Sequence, residues 1–297
     1  MKIWKHNEWA GTQQILHMIS QMMGKVKLAN MHAQPEWNQV LLYPTAQGFT
    51  TGLIPYGDKS FDIILNINSS MVYTHCTDGG MAGFPLMDNA SVSSYYADFT
   101  TMLKNIGCET AINPKPQEVA MVTPFDQQRE KIEYDPDKAK DYFETSIFAR
   151  NALLEFASPF RGKKILPAFF WGTFDMTTVL FSGKDSPFQG QGIIGEVAFD
   201  EQFVEFGYWP GDKLVPDPTF FIMPYPFLDE DLTGEPVSPA EAIFSPAKKE
   251  FFLKLEDAMK YDNPHAVVVE FCKDAFAAVA KVQKWERCDW FTKPLPV

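Results

Sequence analysis

Apolar residues recur with the spacing of an amphipathic helix in five stretches of the chain. In the first stretch, 12-TQQILHMISQMMG-24, the apolar residues form one stripe and Gly24 is a typical C-terminal stop. A second stretch ends in the same way at Gly107, and Asp135-Pro136 is a typical start for the third. Ser-Pro and Asn-Pro pairs precede the last two. Helices are therefore predicted over 12–24, 91–107 and 137–157, from Ser245 through Met259, and from Asn263 through Val282.

Between the predicted helices, short segments have the composition and turn signals of strands. Hairpin-like tips such as GDKS and NSS separate several of them. The segment 168-AFFWGTFDMTTVLFSGK-184 predicts a strand or a hairpin, and the proline-rich segment 113–126 predicts a linker. The remaining strands are predicted over 39–45, 48–54, 61–67 and 70–76, around Ala111 and Ile112, and over 196–209 and 219–225.

The order of these elements indicates two related halves. Each half has a helix, a Gly-Lys pair, several antiparallel strands and another helix, so Gly24-Lys25 corresponds to Gly162-Lys163. Trp37 and Trp171 correspond in the same way, and Leu41 then stands in the place of Asp175. We expect an α+β fold with helices packed on mixed or antiparallel sheets and a pseudo-twofold duplication. The expected domains are 1–122 and 123–297.

Composition narrows the classes of partner. The net charge is −12, so nucleic acid and anionic membrane surfaces would be repelled. Aromatic residues make up 14% of the 297 residues, which is typical of a thick core or an aromatic-lined cavity. The start lacks the apolar segment of a signal peptide, and the four cysteines include no C-x-x-C pair. These features predict an acidic cytoplasmic protein with reduced thiols.

Several patterns that resemble known sites do not have the surroundings that those sites need. The run 190-GQGIIG-195 matches a dinucleotide-binding fingerprint, but a loop precedes it and a strand is predicted after it. The run 229–241 resembles a calcium loop, but its last glutamate comes one position late. The histidines have no metal-ligand spacing, so no metal site is predicted. His17 lies opposite the apolar stripe of its helix and is expected in solvent, whereas His75 is expected to be structural.

The segment 168–184 is the best candidate for a pocket wall. On a continuous strand, Phe169, Trp171, Thr173, Asp175 and Thr177 would share one face. That face combines aromatic rings, hydroxyl groups and one carboxylate. A carboxylate beside aromatic rings has a raised pKa unless a cation is near, and such a group can act as an acid or a base. In the simpler interpretation, Asp175 faces solvent or caps a turn, and Trp171 is a core residue.

Four motifs, read together, resemble an uncharacterised bacterial family known only as a domain of unknown function. They are GKxxL, PYGxxSF, FFWGxFD with a following FSGK, and GxWPG, and the resemblance covers nearly the whole chain. Members of that family have a histidine-containing element shortly before GxWPG, where this chain has Asp200-Glu201-Gln202. The resemblance implies a single family fold but no activity, substrate or cofactor. The residues that carry it are Gly24, Lys25 and Leu28; Pro55, Tyr56, Gly57, Ser60 and Phe61; 169–175 and 181–183; and 207–211.

We therefore expect a cytoplasmic protein that binds a small molecule, or an enzyme, with an aromatic-lined pocket and no cofactor. Asp175 is the candidate catalytic residue, and Arg161 or Lys163 could supply a cation beside it. The alternative is a non-catalytic interaction or structural module with all its aromatic residues in the core. The sequence does not indicate an oligomeric state. The expected ligand contacts are Trp171, Asp175, Thr173, Tyr208, Trp209, Arg161, Lys163 and Tyr56.

Overall fold

A computed structural model describes residues 1–120 and 122–296 of the chain. These residues form two compact units. Unit 1 comprises Met1–Glu144 and the short segment Phe169–Phe174. Unit 2 comprises Thr145–Ala168 and the residues from Asp175 onward. The sequence places the junction after residue 122, and independent folding of 1–122 and 123–297 stays a prediction.

Unit 1 is built around one long helix, which extends beyond its predicted limits. Helix α1 spans His6–Asn30, and Gly24 lies inside it instead of ending it. A side chain at Gly24 would overlap the indole of Trp171, so glycine is needed here for close packing. The other helices that lie wholly in unit 1 are the 3-10 helix Pro35–Val40, α2 (Val92–Asn105) and the 3-10 helix Phe125–Gln127.

The sheet of unit 1 is antiparallel and alternates between buried and more exposed side chains. Phe61 pairs with Cys76 and Leu65 with Val72 on its central strands, and all four residues are buried. The strand predicted around Ala111 and Ile112 is not formed, because those residues lie in an irregular segment. The strands are β1 (Tyr43–Pro44), β2 (Gly48–Thr50), β3 (Ile54–Tyr56), β4 (Lys59–Asn66), β5 (Met71–Cys76) and β6 (Met81–Pro85), in the order β1-β2-β4-β5-β6 with β3 also paired to β4.

The second sheet has six strands in the order β11-β12-β10-β9-β8-β7. Its central strands pair antiparallel with the registers Thr177↔Gly207 and Phe221↔Gly207. The last two residues of β7 belong to unit 1, and the rest of the sheet belongs to unit 2. The strands are β7 (Lys164–Phe170), β8 (Asp175–Asp185), β9 (Glu201–Trp209), β10 (Thr219–Tyr225), β11 (Ile243–Ser245) and β12 (Glu250–Lys254).

Helices and aromatic side chains cover one face of this sheet in unit 2. Helix α3 spans Pro136–Ala157 and enters unit 2 at Thr145. Phe156 of α3 lies 4.5 Å from Phe206 of β9, between ring centroids, and both rings approach Phe276. Such offset and tilted ring pairs are the packing that aromatic cores favour. The remaining helices are α4 (Ile193–Ala198), α5 (Leu255–Ala258), α6 (Pro264–Val282) and α7 (Cys288–Phe291).

Two predicted elements of unit 2 are wrong. The helix predicted from Ser245 is instead the β11–β12 hairpin followed by a single helical turn. Phe251 and Leu253 are buried there, whereas Phe252 between them is half-buried. Burial therefore alternates from residue to residue, which is typical of a strand and not of a helix. The strand predicted over 196–209 begins only at Glu201, because α4 takes up the residues before it.

Two antiparallel sheets with packed helices confirm the predicted α+β class. The duplication is not confirmed. Gly24-Lys25 lies in the middle of α1, whereas Gly162-Lys163 lies in the connection between α3 and β7. Trp37 lies in a 3-10 helix, whereas Trp171 lies in a turn. Within the described residues, no helix has both the length and the apolar character needed to cross a membrane.

Candidate functional site

The segment 168–184 forms a hairpin, which is one of its two predicted forms. Strand β7 ends at Phe170, residues 171–174 form a tight turn, and β8 begins at Asp175. The Phe174 amide donates to the Phe170 carbonyl at 2.8 Å, and Phe174 has a left-handed φ of 66°. The turn interrupts the alternation expected for one continuous strand. Trp171 and Thr173 therefore lie in the turn, and only Asp175 and Thr177 share a strand face.

Trp171 is a buried residue of unit 1. Its side chain is 6% exposed, and its Nε1 donates to the Val40 carbonyl at 3.0 Å. The indole lies against Gly24, and Lys25 Nζ lies 5.9 Å from its centroid. The GKxxL and FFWGxFD motifs thus meet in space, with the glycine of one making room for the tryptophan of the other. This arrangement agrees with Trp171 as a core aromatic.

Asp175 begins β8 and is buried, with 3% of its surface exposed. Its Oδ2 accepts a short hydrogen bond from the Thr177 hydroxyl on the same strand face. Gly207 lies opposite Thr177, and Trp209, two residues further along β9, is half-buried. This edge of unit 2 therefore combines a carboxylate, a hydroxyl and an indole.

Tyr208 lies on the opposite face of the same strands, next to Gly207. Its hydroxyl donates to the Thr145 hydroxyl at 2.9 Å, and its ring packs at 5.3 Å from Phe220. Burial raises the pKa of Tyr208 above its usual value. The structure therefore separates Tyr208 from the Asp175 face and places it in the core of unit 2.

The two basic residues named as partners for Asp175 have other partners in unit 2. Lys163 Nζ lies 2.8 Å from Glu201 Oε2, and Arg161 donates to the carbonyls of Lys293 and Pro294. The Lys163 carbonyl accepts from the amide of Phe181, six residues along β8 from Asp175. That separation is about 20 Å at the usual rise of a strand. The structure does not bring these cations to Asp175.

Tyr56, the last ligand contact expected from the sequence, lies in unit 1. Its hydroxyl donates to the Glu109 carbonyl at 2.8 Å, and its ring approaches Phe61 edge-on at 6.1 Å. Tyr56 therefore ties the strand β3 to the segment that follows α2.

Sequence reasoning missed a row of polar residues along α1. Gln13, His17, Gln21 and Lys25 are spaced by four, so they lie on one stripe of the helix. Gln21 and Lys25 are 0% and 4% exposed, and His17 is partly buried. The expectation that His17 is solvated is wrong, because α1 is covered on this side as well as on its apolar stripe. We call His17, Gln21 and Lys25, together with Gln117 and Glu118, the polar cluster.

His17 is held by the turn that contains Trp171. Its Nε2 lies 3.0 Å from the carbonyl oxygens of both Trp171 and Gly172. Both oxygens are acceptors, which favours the tautomer with the proton on Nε2 and Nδ1 as the basic atom, and the Gln21 amide nitrogen lies 3.3 Å from the same Nε2. The ring also packs at 4.8 Å from Phe174. Burial lowers the pKa of His17 to about 4, and its two carbonyl partners only partly offset this effect.

Gln21 and Lys25 form hydrogen bonds with Gln117, which lies in the segment predicted to be a linker, 113–126. Gln21 and the backbone of Gln117 exchange two hydrogen bonds, at 2.7 and 2.8 Å. Lys25 Nζ donates to Gln117 Oε1 at 2.8 Å. Burial lowers the pKa of Lys25 to about 8. None of the ion pairs among residues 1–120 and 122–296 involves it. The cluster therefore contains a buried amine that is still mainly protonated at pH 7 but loses its proton far more easily than an exposed lysine.

Glu118 is the last member of the polar cluster and lies against the turn 171–174. It has a left-handed φ of 55°, and its carboxyl group lies directly against Gly172, so a side chain at Gly172 would overlap it. Loss of hydration there raises the pKa of Glu118, although other parts of the residue stay exposed. Gly172 is thus needed for close approach, as Gly24 is on the other side of Trp171.

The patterns rejected from the sequence do not gain support as sites. Gly192 of the GQGIIG run precedes α4, so the strand expected after the run is wrong. The helix has only six residues, however, and β8 ends well before the run, at Asp185. Within 1–120 and 122–296, no group of three or more His, Cys, Asp and Glu side chains is placed to hold a metal ion.

Comparison with known families agrees with the motif resemblance. Residues 4–290 match a family described as "Family of unknown function (DUF5996)". The chain belongs to this family. No curated protein and no solved structure matches the chain. Family membership therefore establishes one shared fold over nearly the whole chain and indicates no specific function.

Proposed function

We propose that this family member binds a small molecule at the polar cluster, with His17 Nδ1 as a proton-accepting contact, and that it does so in the cytoplasm. The observation that carries the proposal is the orientation of His17. Two carbonyl groups favour the proton on Nε2, which leaves Nδ1 as the basic nitrogen of a positioned ring. Backbone or carboxylate partners orient histidine in this way where its second nitrogen binds a ligand or accepts a proton.

The titratable groups of the polar cluster support this assignment. Burial shifts the pKa values of His17, Lys25 and Glu118 toward the neutral form of each group. Three groups perturbed in the same sense, within one part of unit 1, are typical of a functional site more than of a surface ion-pair network. A neutral imidazole, an ammonium group and a carboxyl group side by side offer hydrogen-bond acceptors and donors to a polar ligand.

The short length of the polar cluster and its aromatic neighbours support a small molecule as the ligand. His17 and Lys25 are eight residues apart on α1, which corresponds to about 12 Å along the helix axis. Trp171 and Phe174 supply aromatic surface beside them. Of the contacts expected from the sequence, Trp171 and Thr173 belong to the turn that covers the cluster. Asp175 stays a separate candidate at the start of β8.

A structural role is the second candidate, and one observation favours it. Gln21 and Lys25 both bind Gln117, so the cluster also fastens the segment after α2 to the middle of α1. If holding this segment against α1 is the only role of the polar cluster, substitutions in the cluster will reduce stability without abolishing the binding of any ligand.

A thermal-shift screen against a metabolite library separates these possibilities, because a ligand that binds only the native state raises the Tm. The wild type is compared with His17→Gln, with Asp175→Asn and with the control His75→Gln. His75 is also a histidine of unit 1, but it lies on β5 with 43% of its side chain exposed.

We expect a ligand to raise the Tm of the wild type and of His75→Gln but not that of His17→Gln. A shift that survives in His17→Gln and disappears in Asp175→Asn would move the site to the start of β8. If no metabolite shifts the wild type, the structural role is favoured and the proposed binding function is overturned.

A further inference from the structure

We propose that Cys76 and Cys108 form a modification site, at which a peroxide converts the two thiols into a reversible disulfide within unit 1. This site is separate from the polar cluster and does not depend on the binding function. Both thiols are free in the structure.

The fold brings these two cysteines together from distant elements. Cys76 is the last residue of β5, and Cys108 follows Gly107, whose φ of 64° turns the chain after α2. Cys108 Sγ donates to the Ile106 carbonyl at 3.8 Å, and the Cβ atoms of Ile106 and Cys76 both lie 3.5 Å from the point that a Cβ atom at Gly80 would occupy. The segments that carry the two thiols therefore adjoin, which is the arrangement that a disulfide within one chain requires.

A lysine and a carboxylate border the thiol pair. Lys59 Nζ donates to Asp78 Oδ2 at 2.9 Å and to the Ile106 carbonyl at 2.7 Å. Its positive charge favours the thiolate form of Cys108, but burial has the larger effect and raises the pKa of that thiol to about 11. The pair is therefore protonated at neutral pH, and its oxidation should be slower than that of an activated thiol.

The exposures suggest the order of the two steps. Cys76 is 7% exposed and Cys108 is fully buried, so a peroxide reaches Cys76 first. The Cys76 thiol and hydrogen peroxide give a sulfenic acid and one water. The Cys108 sulfur then attacks the Cys76 sulfur, and the hydroxyl group leaves with the Cys108 proton as a second water. Two thiols are oxidised and one peroxide is reduced, so atoms and electrons balance.

The disulfide would join the end of β5 to the segment after α2 and would close the loop 77–107. Closing a loop of this length restricts the unfolded chain, so the oxidised form should have a higher Tm. Thiol reductants would reverse the bond by exchange. The remaining cysteines offer internal controls, since Cys272 is buried in α6 and Cys288 is partly exposed in unit 2.

The test uses the wild-type chain, treated with excess hydrogen peroxide under native conditions. Remaining thiols are blocked with N-ethylmaleimide, and the digested protein is examined by mass spectrometry without reduction. We expect a cross-linked peptide pair containing Cys76 and Cys108, two hydrogens lighter than the separate peptides and absent after dithiothreitol. The oxidised protein should remain unlinked to other copies on a non-reducing gel and should melt at a higher temperature.

Cys76→Ser and Cys108→Ser should each lose this product, whereas the matched variant Cys288→Ser should retain it. The proposal is overturned if Cys76 and Cys108 are still alkylated separately after Cys288 has been fully oxidised. It is also overturned if the cross-link joins different molecules or involves Cys272 or Cys288 instead. Because the wild type alone decides these outcomes, a variant that fails to fold does not remove the test.

Discussion

The contact between Gly24 and Trp171 makes a quantitative prediction whose sign depends on the partner residue. A methyl group at Gly24 would overlap the indole atoms of Trp171, which is buried and fastened to the Val40 carbonyl. In Gly24→Ala the indole must therefore shift away from α1. At an isolated position inside a helix, the same substitution would stabilise the protein by about 1 kcal/mol through helix propensity.

The opposing terms are larger than this gain. Forcing an extra carbon into a packed core costs about 1–3 kcal/mol. Displacing the indole also breaks the hydrogen bond from Trp171 to Val40, which contributes about 1 kcal/mol. Subtracting the propensity gain leaves a net loss of roughly 1–3 kcal/mol for Gly24→Ala in the wild type. Without the indole, the overlap disappears and only the propensity gain remains.

Urea unfolding followed by circular dichroism measures this double-mutant cycle. Trp171→Ala alone should lose about 3–5 kcal/mol, as large aromatic deletions from cores do. Adding Gly24→Ala to that variant should leave stability unchanged or raise it by up to about 1 kcal/mol. The reasoning is refuted if Gly24→Ala stabilises the wild type, or if its effect is the same in both backgrounds.

Three further predictions concern titration and buried polar groups. The pKa of His17 is about 4 in the folded protein and 6.5 in the unfolded chain, so its contribution to stability is complete above pH 6.5 and lost as the pH falls to 4. The free energy of unfolding, measured by urea titration at each pH, should therefore fall by about 3 kcal/mol through His17 between pH 6.5 and pH 4. If His17→Gln keeps the same pH dependence of stability as the wild type, the assignment is contradicted. Lys25→Met should raise stability at pH 7, because it removes a buried ammonium group that lacks a carboxylate partner. It should also remove the rise in stability that Lys25 contributes between pH 8 and 10.5, so an unchanged slope there counts against the assignment. Tyr208→Phe should lose about 1 kcal/mol of stability, because it removes the buried hydrogen bond to Thr145. The exposed control Tyr261→Phe removes a hydrogen bond to Glu241 and should lose less than about half of that. Equal losses would mean that burial does not increase the contribution of the Tyr208 hydrogen bond.

The regular parts of the fold were predictable because their periodicity is strong. The helices α2, α3 and α6 lie close to their predicted limits, and caps such as Asn263 mark where they begin. The prediction from Ser245 failed because phenylalanines in a short stretch fit both a helix stripe and a strand face. Burial on alternate residues, which the sequence does not display, decides between the two.

The polar cluster could not be predicted, because helix periodicity distinguishes only an apolar from a polar stripe. The row from Gln13 to Lys25 has the composition of a solvated face, yet the turn 171–174 and the segment around Gln117 cover it. Both covering elements are distant in the sequence. A usable signal existed in the glycines, since Gly24 inside a helix and Gly172 beside Trp171 both indicate close approach.

Asp175 illustrates the opposite case, in which the residue was located but its surroundings were not. The segment 168–184 predicted Asp175 beside aromatic residues, on a pocket wall or facing solvent, whereas the structure buries it. The four-residue turn before it was not, and that turn places Trp171 in unit 1 and Asp175 in unit 2. Residues 171–174 contain no proline and only one glycine, so the sequence gives little signal for a turn there.

The proposed binding site is tested most directly by nitrogen NMR of the histidine rings during titration with a ligand that raises the Tm. Before ligand is added, His17 should be neutral at pH 7 with its proton on Nε2. Saturation with ligand should shift the resonance of His17 Nδ1, because that atom accepts the new hydrogen bond, and should leave the resonances of His75 unchanged. A ligand that saturates the protein while both nitrogens of His17 keep their resonances would contradict the proposed site.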